Sequence, residues 1–210
     1  MTASNERLRQ RIANVRAALL ELARTVDENL RTVHLMLTTE EEVARGLQIR
    51  PTDQLAEAVM DRSMELLGLQ APLAKDLRWA MAVIRIGKDY ERAQNLTEAL
   101  YRRAAVLGDT LLSEILHAMT QVTSELLAAH RLTLALLESE HPSLAEARPQ
   151  LKLHHALVEA RLADVENLAI EAMVRGDESA ENLRELVLAT RHLKRISDEL
   201  ALIPEELLRD

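Results

Sequence analysis

Leu8, Ile12, Val15, Leu19, Leu22, Val26, Leu30, Val33 and Leu37 recur every three or four residues. That spacing keeps them on one face of an α-helix. A long amphipathic helix is therefore expected over residues 5–37, about 50 Å at 1.5 Å per residue. Gly46 and Pro51 interrupt the pattern, and a proline fits just before a new helix, expected over 52–69. Pro72 disfavours helical backbone at Ala71 and marks a turn. The third helix is expected from there to Leu107, closed by Gly108, with Asp109 capping the next. The fourth, over 110–139, turns Leu112, Ile115, Leu116, Met119, Val122, Leu126 and Leu136 inward. His141, Pro142 and Ser143 break it. Ser143 and Glu146 have capping-box spacing, so a short turn precedes a fifth helix expected from near Pro149 to Gly176. The sixth follows over 178–203, where Pro204 ends it or begins a final turn.

The pattern repeats. Residues 88–95 (KDYERAQN) align with 191–198 (RHLKRISD) at an offset of 103, about half of the 210 residues. Arg92 falls on Arg195, Tyr90 on Leu193 and Ile84 on Val187. Two copies of one helical unit produce such a pattern. The offset divides six helices three and three, at 1–108 and 109–210, and short connections favour antiparallel neighbours. The expected architecture is all-α, two tandem three-helix bundles in close contact because only Gly108 and Asp109 separate them. A single six-helix bundle is the alternative.

Composition agrees with a helical core. The chain is 48% hydrophobic, with no Phe, one Trp, two Tyr, five Gly and five Pro, so strand and turn signals are scarce. The absence of Cys excludes disulfides and thiolate metal sites. A formal charge of −8 disfavours broad contact with nucleic acid. No apolar run approaches the roughly 20 residues needed to span a bilayer, so no direct membrane insertion is expected. The first residues, MTASNERLRQR, lack the apolar stretch of a signal peptide. Neither a Gly-rich phosphate loop nor a Ser-His-Asp or Cys-His constellation is visible, so no enzymatic activity is expected.

Residues 66–78 (LLGLQAPLAKDLR) followed by 84–92 (IRIGKDYER) resemble the PhoU family of phosphate-uptake regulators. Residues 189–198 (ATRHLKRISD) resemble that family's second motif, a weaker match on its own. The resemblance implies tandem three-helix bundles and a cytoplasmic, non-enzymatic regulator that forms a homodimer. It implies negative regulation of the phosphate-starvation response, as an adaptor between a phosphate ABC transporter ATPase and a sensor histidine kinase. It also implies metal clusters on E/D-x-x-x-D motifs of the third and sixth helices.

Carboxylates at i and i+4 lie one turn apart on the same face and can bracket a hard cation or iron. The motif positions fall on Glu91 and Asn95 in the first half, and on Lys194 and Asp198 in the second. Asn95 offers a carbonyl oxygen without charge. Lys194, protonated, has three donors and no acceptor, opposes a cation, and can pair with Asp198 instead. Asp53 on the second helix, and Asp164 and Glu166 on the fifth, are further acids at comparable positions; Asp89 lies beside Glu91 on another face. The second half is expected to bind no metal and the first to bind weakly or not at all. No cofactor is expected beyond a weakly held divalent cation or iron. Gly87, one turn before Glu91, leaves room for a close helix crossing or a ligand.

Trp79, Tyr90 and Tyr101 are spaced by 11 and form one stripe, either a core or dimer seam or, at Trp79, a docking anchor. Arg78, Arg92 and Arg195 match arginines of the family pattern, as ion-pair partners or as phosphate or partner contacts. The histidines form no ligand set: His154 and His155 diverge by about 100° on a helix, His34 sits at the edge of the apolar stripe, and His192 precedes the second motif. Two other readings compete with the regulator: a metal-storage or buffering protein using the surviving acids, and a divergent scaffold serving another system.

Overall fold

The computed structural model describes residues 3–38, 46–70, 74–139 and 143–207. Six helices fill most of them: α1 (Ala3–Met36), α2 (Asp53–Gln70), α3 (Ala74–Thr110), α4 (Ser113–Glu138), α5 (Leu144–Arg175) and α6 (Ala180–Leu207). No strand occurs among the described residues. Helices α1 to α3 pack on one another, as do α4 to α6. The fold is thus all-α, with two three-helix bundles in tandem. They meet through α1 against α4 and, most extensively, α3 against α6.

The predicted stripe of α1 becomes core: Val15, Leu19, Leu22, Val26, Leu30 and Val33 are buried, while Leu8 and Ile12 pack at its margin. Burying such side chains stabilises the fold by about 1.5–3 kcal/mol each. The core runs on without a break through Ile86, Tyr90, Met119, Val165, Leu193 and Ile196.

Three boundaries differ from expectation; one is the end of α6, which does not stop at Ile203 but passes through Pro204 to Leu207. Helix α3 passes through Gly108 to Thr110, and Leu112, not Asp109, takes the N-cap position of α4. A glycine in a helix costs only about 1 kcal/mol, and buried Leu107 and Leu111 hold the turn around it. The Leu112 N–H finds its acceptor in Glu178, 2.6 Å away in the α5–α6 connection. Helix α5 begins at Leu144 rather than near Pro149. Ser143 does occupy its N-cap, with extended backbone but no side-chain capping bond. Pro149 deletes one backbone hydrogen bond inside the helix; Arg148, paired with Glu205 of α6 at 2.7 Å, ties the same turn down. The expected C-terminus at Gly176 stands: its φ of 74° is left-handed, and Asp177 N–H closes onto the Ala172 carbonyl. The turn expected at Pro72 and the break at His141 and Pro142 lie outside the described residues.

Buried polar groups lock helices of the two bundles together. Asp27 (α1) meets His130 Nδ1 (α4) at 3.1 Å, and His130 Nε2 lies 3.2 Å from the Tyr90 hydroxyl (α3). The two rings stack edge to face at 5.7 Å. Burial raises the Asp27 pKa, but the hydrogen bond and charge of His130, with Arg31, outweigh it and hold the carboxyl below its ordinary value. Burial pushes the Tyr90 hydroxyl well above its usual range, and the Asp27 charge adds to this. Buried Asn29 grips the segment before α2, donating to the Arg50 carbonyl and accepting from the Arg50 N–H, both at 2.8 Å. Tyr101 donates to the Leu47 carbonyl at 2.8 Å, fixing that segment to α3.

Ion pairs of Arg85 with Glu206, Arg92 with Glu199 and Arg103 with Glu185 set α3 antiparallel to α6. All three arginines come from α3 and all three glutamates from α6. Asp89 is buried beside this row. Burial and the nearby Glu199 and Glu206 raise its pKa to about 6, against the opposing pull of Arg92 and Arg85.

Replacing His130 with Ala leaves Asp27 Oδ1 and the Tyr90 hydroxyl without their imidazole partner, while Arg31 still holds Asp27 Oδ2 at 2.9 Å, and is expected to cost about 2–4 kcal/mol, against about 1 for Tyr90→Phe. Urea denaturation of both variants measures this, and equal small losses would refute the buried network. Asp89 gives a pH signature. Between its ordinary value of 3.8 and about 6, the folded state keeps a proton that the unfolded chain has lost. Its contribution to stability therefore falls as pH rises through that window. Asp89→Asn should stabilise the fold at about pH 7.5, on the order of 2 kcal/mol, with the gain vanishing near pH 4. A gain independent of pH would contradict the raised pKa.

Candidate functional site

Each half carries a groove between its second and third helices. In the first half, α2 supplies Asp53, Glu57 and Asp61, and α3 supplies Lys88 and Glu91, around a floor of Ala56, Met60, Ile84 and Gly87. The groove encloses about 530 Å³. The acids recur every four residues on α2 because that period holds them on one face. At Gly87 α2 packs tightly on α3: a Cβ there would lie 3.1 Å from Val59 Cγ1. The glycine thus serves the helix crossing and sets the depth of the groove.

The structure brings Asp53 and Glu91 into one groove, as their positions suggested, but Asn95 does not line it. Glu57 and Asp61 were missed in the sequence, where their spacing from Asp53 was the available signal. Among the described residues, no three His, Asp or Glu side chains come together to hold a metal ion.

In the second half, the Lys194 ammonium sits 2.9 Å from Glu159 of α5 and 3.6 Å from Asp198 one turn on. Both contacts raise the Lys194 pKa, the Glu159 hydrogen bond most, and the same hydrogen bond lowers that of Glu159. A half-exposed cation thus stands between two half-exposed carboxylates. Asp164 pairs with Arg161 at 3.6 Å, away from this trio. Glu166 lines a separate groove beside Val165, Ile170, Met173 and Val187.

The other candidates separate. Tyr90 is buried, Tyr101 holds the 46–50 segment, and Trp79 is half-buried against the core, so the aromatic stripe faces inward. Arg92 bridges Asp89 and Glu199, each at 3.6 Å, whereas Arg78 and Arg195 are exposed. His34 meets Thr123, His154 meets Glu125 and His155 meets Ser197. Burial, followed by Arg131, lowers the His34 pKa. The buried Asp27–His130–Tyr90 chain was not legible in the sequence, because its members lie 40 to 103 residues apart.

No family model matches the chain. Over 124 residues it is 30% identical to the phosphate-specific transport system accessory protein PhoU homolog 2 of Methanothermobacter thermautotrophicus, a match covering 57% of this chain. The chain spans little more than half of that relative, 56% of its length. The crystal structure of PhoU from Pseudomonas aeruginosa superposes with a TM-score of 0.82, covering 95% of this chain and 96% of that one at 17% identity. The fold is that of PhoU, and the resemblance to the PhoU family read from the two motifs is borne out by the sequence match and the structural match together.

Proposed function

We propose that this chain is a PhoU-like regulator of phosphate uptake. It acts without catalysis, as a negative adaptor between a phosphate ABC transporter ATPase and a sensor histidine kinase. The observation that carries the reading is the likeness to PhoU along nearly the whole chain, joined to motifs at the matching places of both halves. Other features agree with it. The Asp27–His130–Tyr90 chain, which could look catalytic on paper, is buried and bridges helices. No described helix is long and apolar enough to cross a membrane, consistent with work at a cytoplasmic surface. An adaptor shifts a partner's state only by contacting two of its conformations differently, and six long helices offer an extended surface for that. In this reading the units are residues 1–108 and 109–210, and the chain works as a homodimer.

Deleting the gene should make a phosphate-starvation reporter constitutive in phosphate-replete cells, and the wild-type chain should restore repression. Unchanged expression after deletion would reject the negative role.

The regulator is further proposed to work without a resident metal. Lys194 supplies the positive charge between Glu159 and Asp198, and an ammonium at that distance repels a divalent ion. After purification and dialysis, elemental analysis should find manganese, iron and zinc far below one per chain. Stoichiometric metal would overturn this and favour the storage reading.

A further inference from the structure

Where α4, α5 and α6 meet, the second bundle leaves a pocket of about 190 Å³. Leu126, Ala129, Leu200 and Pro204 line it from α4 and α6, and Leu151 closes it from α5. Leu126, Leu200 and Pro204 are buried, so the inner end is apolar and shut off from water. The space exists because each helix places an alanine on the lining: Ala129, Ala156 and Ala201. Larger side chains there would fill it, as protein interiors normally are filled.

The polar groups of the lining satisfy one another. Thr133 donates to the Ala129 carbonyl of its own helix at 3.3 Å, and His155 Nδ1 meets Ser197 Oγ at 3.0 Å. An apolar cavity without unmet polar groups stays dry and accepts apolar matter; about 150 Å³ suffices for a benzene ring. By that measure this pocket holds an alkyl chain of about seven or eight carbons.

Charge is confined to the mouth. Helix α5 brings Arg148, Lys152, His155 and Glu159 to the pocket from one face, because they recur every three or four residues. The acids there are already taken, Glu205 by Arg148 at 2.7 Å and Glu159 by Lys194 at 2.9 Å. Lys152 is exposed and forms no ion pair with a described residue. One unanswered ammonium at the mouth of an apolar pocket matches a ligand with an alkyl tail and a single negative charge. A carboxylate carries that one charge.

We propose that this pocket binds a medium-chain alkyl carboxylate, with its tail between Leu126, Leu151 and Leu200 and its head group on Lys152. Burial of the tail supplies the affinity and Lys152 selects the head. The site goes beyond the regulatory reading and does not depend on it.

The test is calorimetric titration of the full chain with butanoate, hexanoate and octanoate, and with 1-octanol as the uncharged comparison. Each added methylene should tighten carboxylate binding about fourfold. Lys152→Gln should weaken octanoate binding about fivefold and leave 1-octanol unchanged. Ala201→Phe should fill the pocket and abolish binding of both. Lys152 and Ala201 are exposed, so circular dichroism should show an unchanged helix content in each variant. In the wild-type chain, octanoate should shift the methyl resonances of Ala129, Ala156 and Ala201. Unmoved alanine methyls at saturating octanoate, affinity that does not grow with chain length, or undiminished octanoate binding in a folded Ala201→Phe variant would overturn the site. Binding of 1-octanol as tight as that of octanoate, or a Lys152→Gln variant that keeps full octanoate affinity, would overturn the carboxylate assignment.

Discussion

Six helices with one apolar stripe each can pack in many ways, and the seam between α3 and α6 selects one of them. The two helices hold equivalent places in the repeat, so an apolar stripe alone would pair either one with a copy of itself. Charge breaks that equivalence. Along the seam α3 contributes arginines and α6 contributes glutamates. Two copies of α3 side by side would set arginine against arginine, and like charges in contact oppose association. Exposed ion pairs add little stability; their effect here is on partner choice and register, while Tyr90, Leu193 and Ile196 supply the buried area.

The polar chain of Asp27, His130 and Tyr90 acts on the same junction from inside. It joins α1 and α3 of one bundle to α4 of the other. Apolar side chains tolerate sliding, because one methyl contact replaces another. His130 is bonded to no described residue besides Asp27 and Tyr90 that could replace them, so displacement of one bundle against the other carries a desolvation cost. Surface ladder and buried network together tie the two bundles into one unit.

Much of this was readable in the sequence because helical period and tandem repetition are local signals. The stripe from Leu8 to Leu37 forecasts α1 within a few residues, and the offset of 103 gives the pairing of halves. Errors fell where a long-range contact overrides a local rule. Gly108 reads as a stop, yet Glu178, 66 residues beyond Leu112, supplies the acceptor that moves the boundary. Pro149 reads as a start, yet Glu205 holds the turn before it through Arg148. The site was half legible for the same reason. Spacing of i and i+4 placed Lys194 beside Asp198, but nothing local could reveal Glu159 on the neighbouring helix completing the trio.

Duplication fixes backbone geometry twice and leaves each half free to change the side chains it presents. The groove between α2 and α3 is acidic, whereas the second half has an ammonium between its carboxylates and an apolar groove further along α5 and α6. Glu91 and Lys194, like Asp89 and His192, hold corresponding positions and differ in charge. A pair of equal sites would respond to one ligand at both ends, whereas unequal ends let one fold answer to different chemistries. The burial of Asp89 beside Arg92, against the unpartnered buried nitrogens of Arg103 and His192, places that inequality within the interface that holds the halves together. Arg103 belongs to that interface through its pair with Glu185 across the seam.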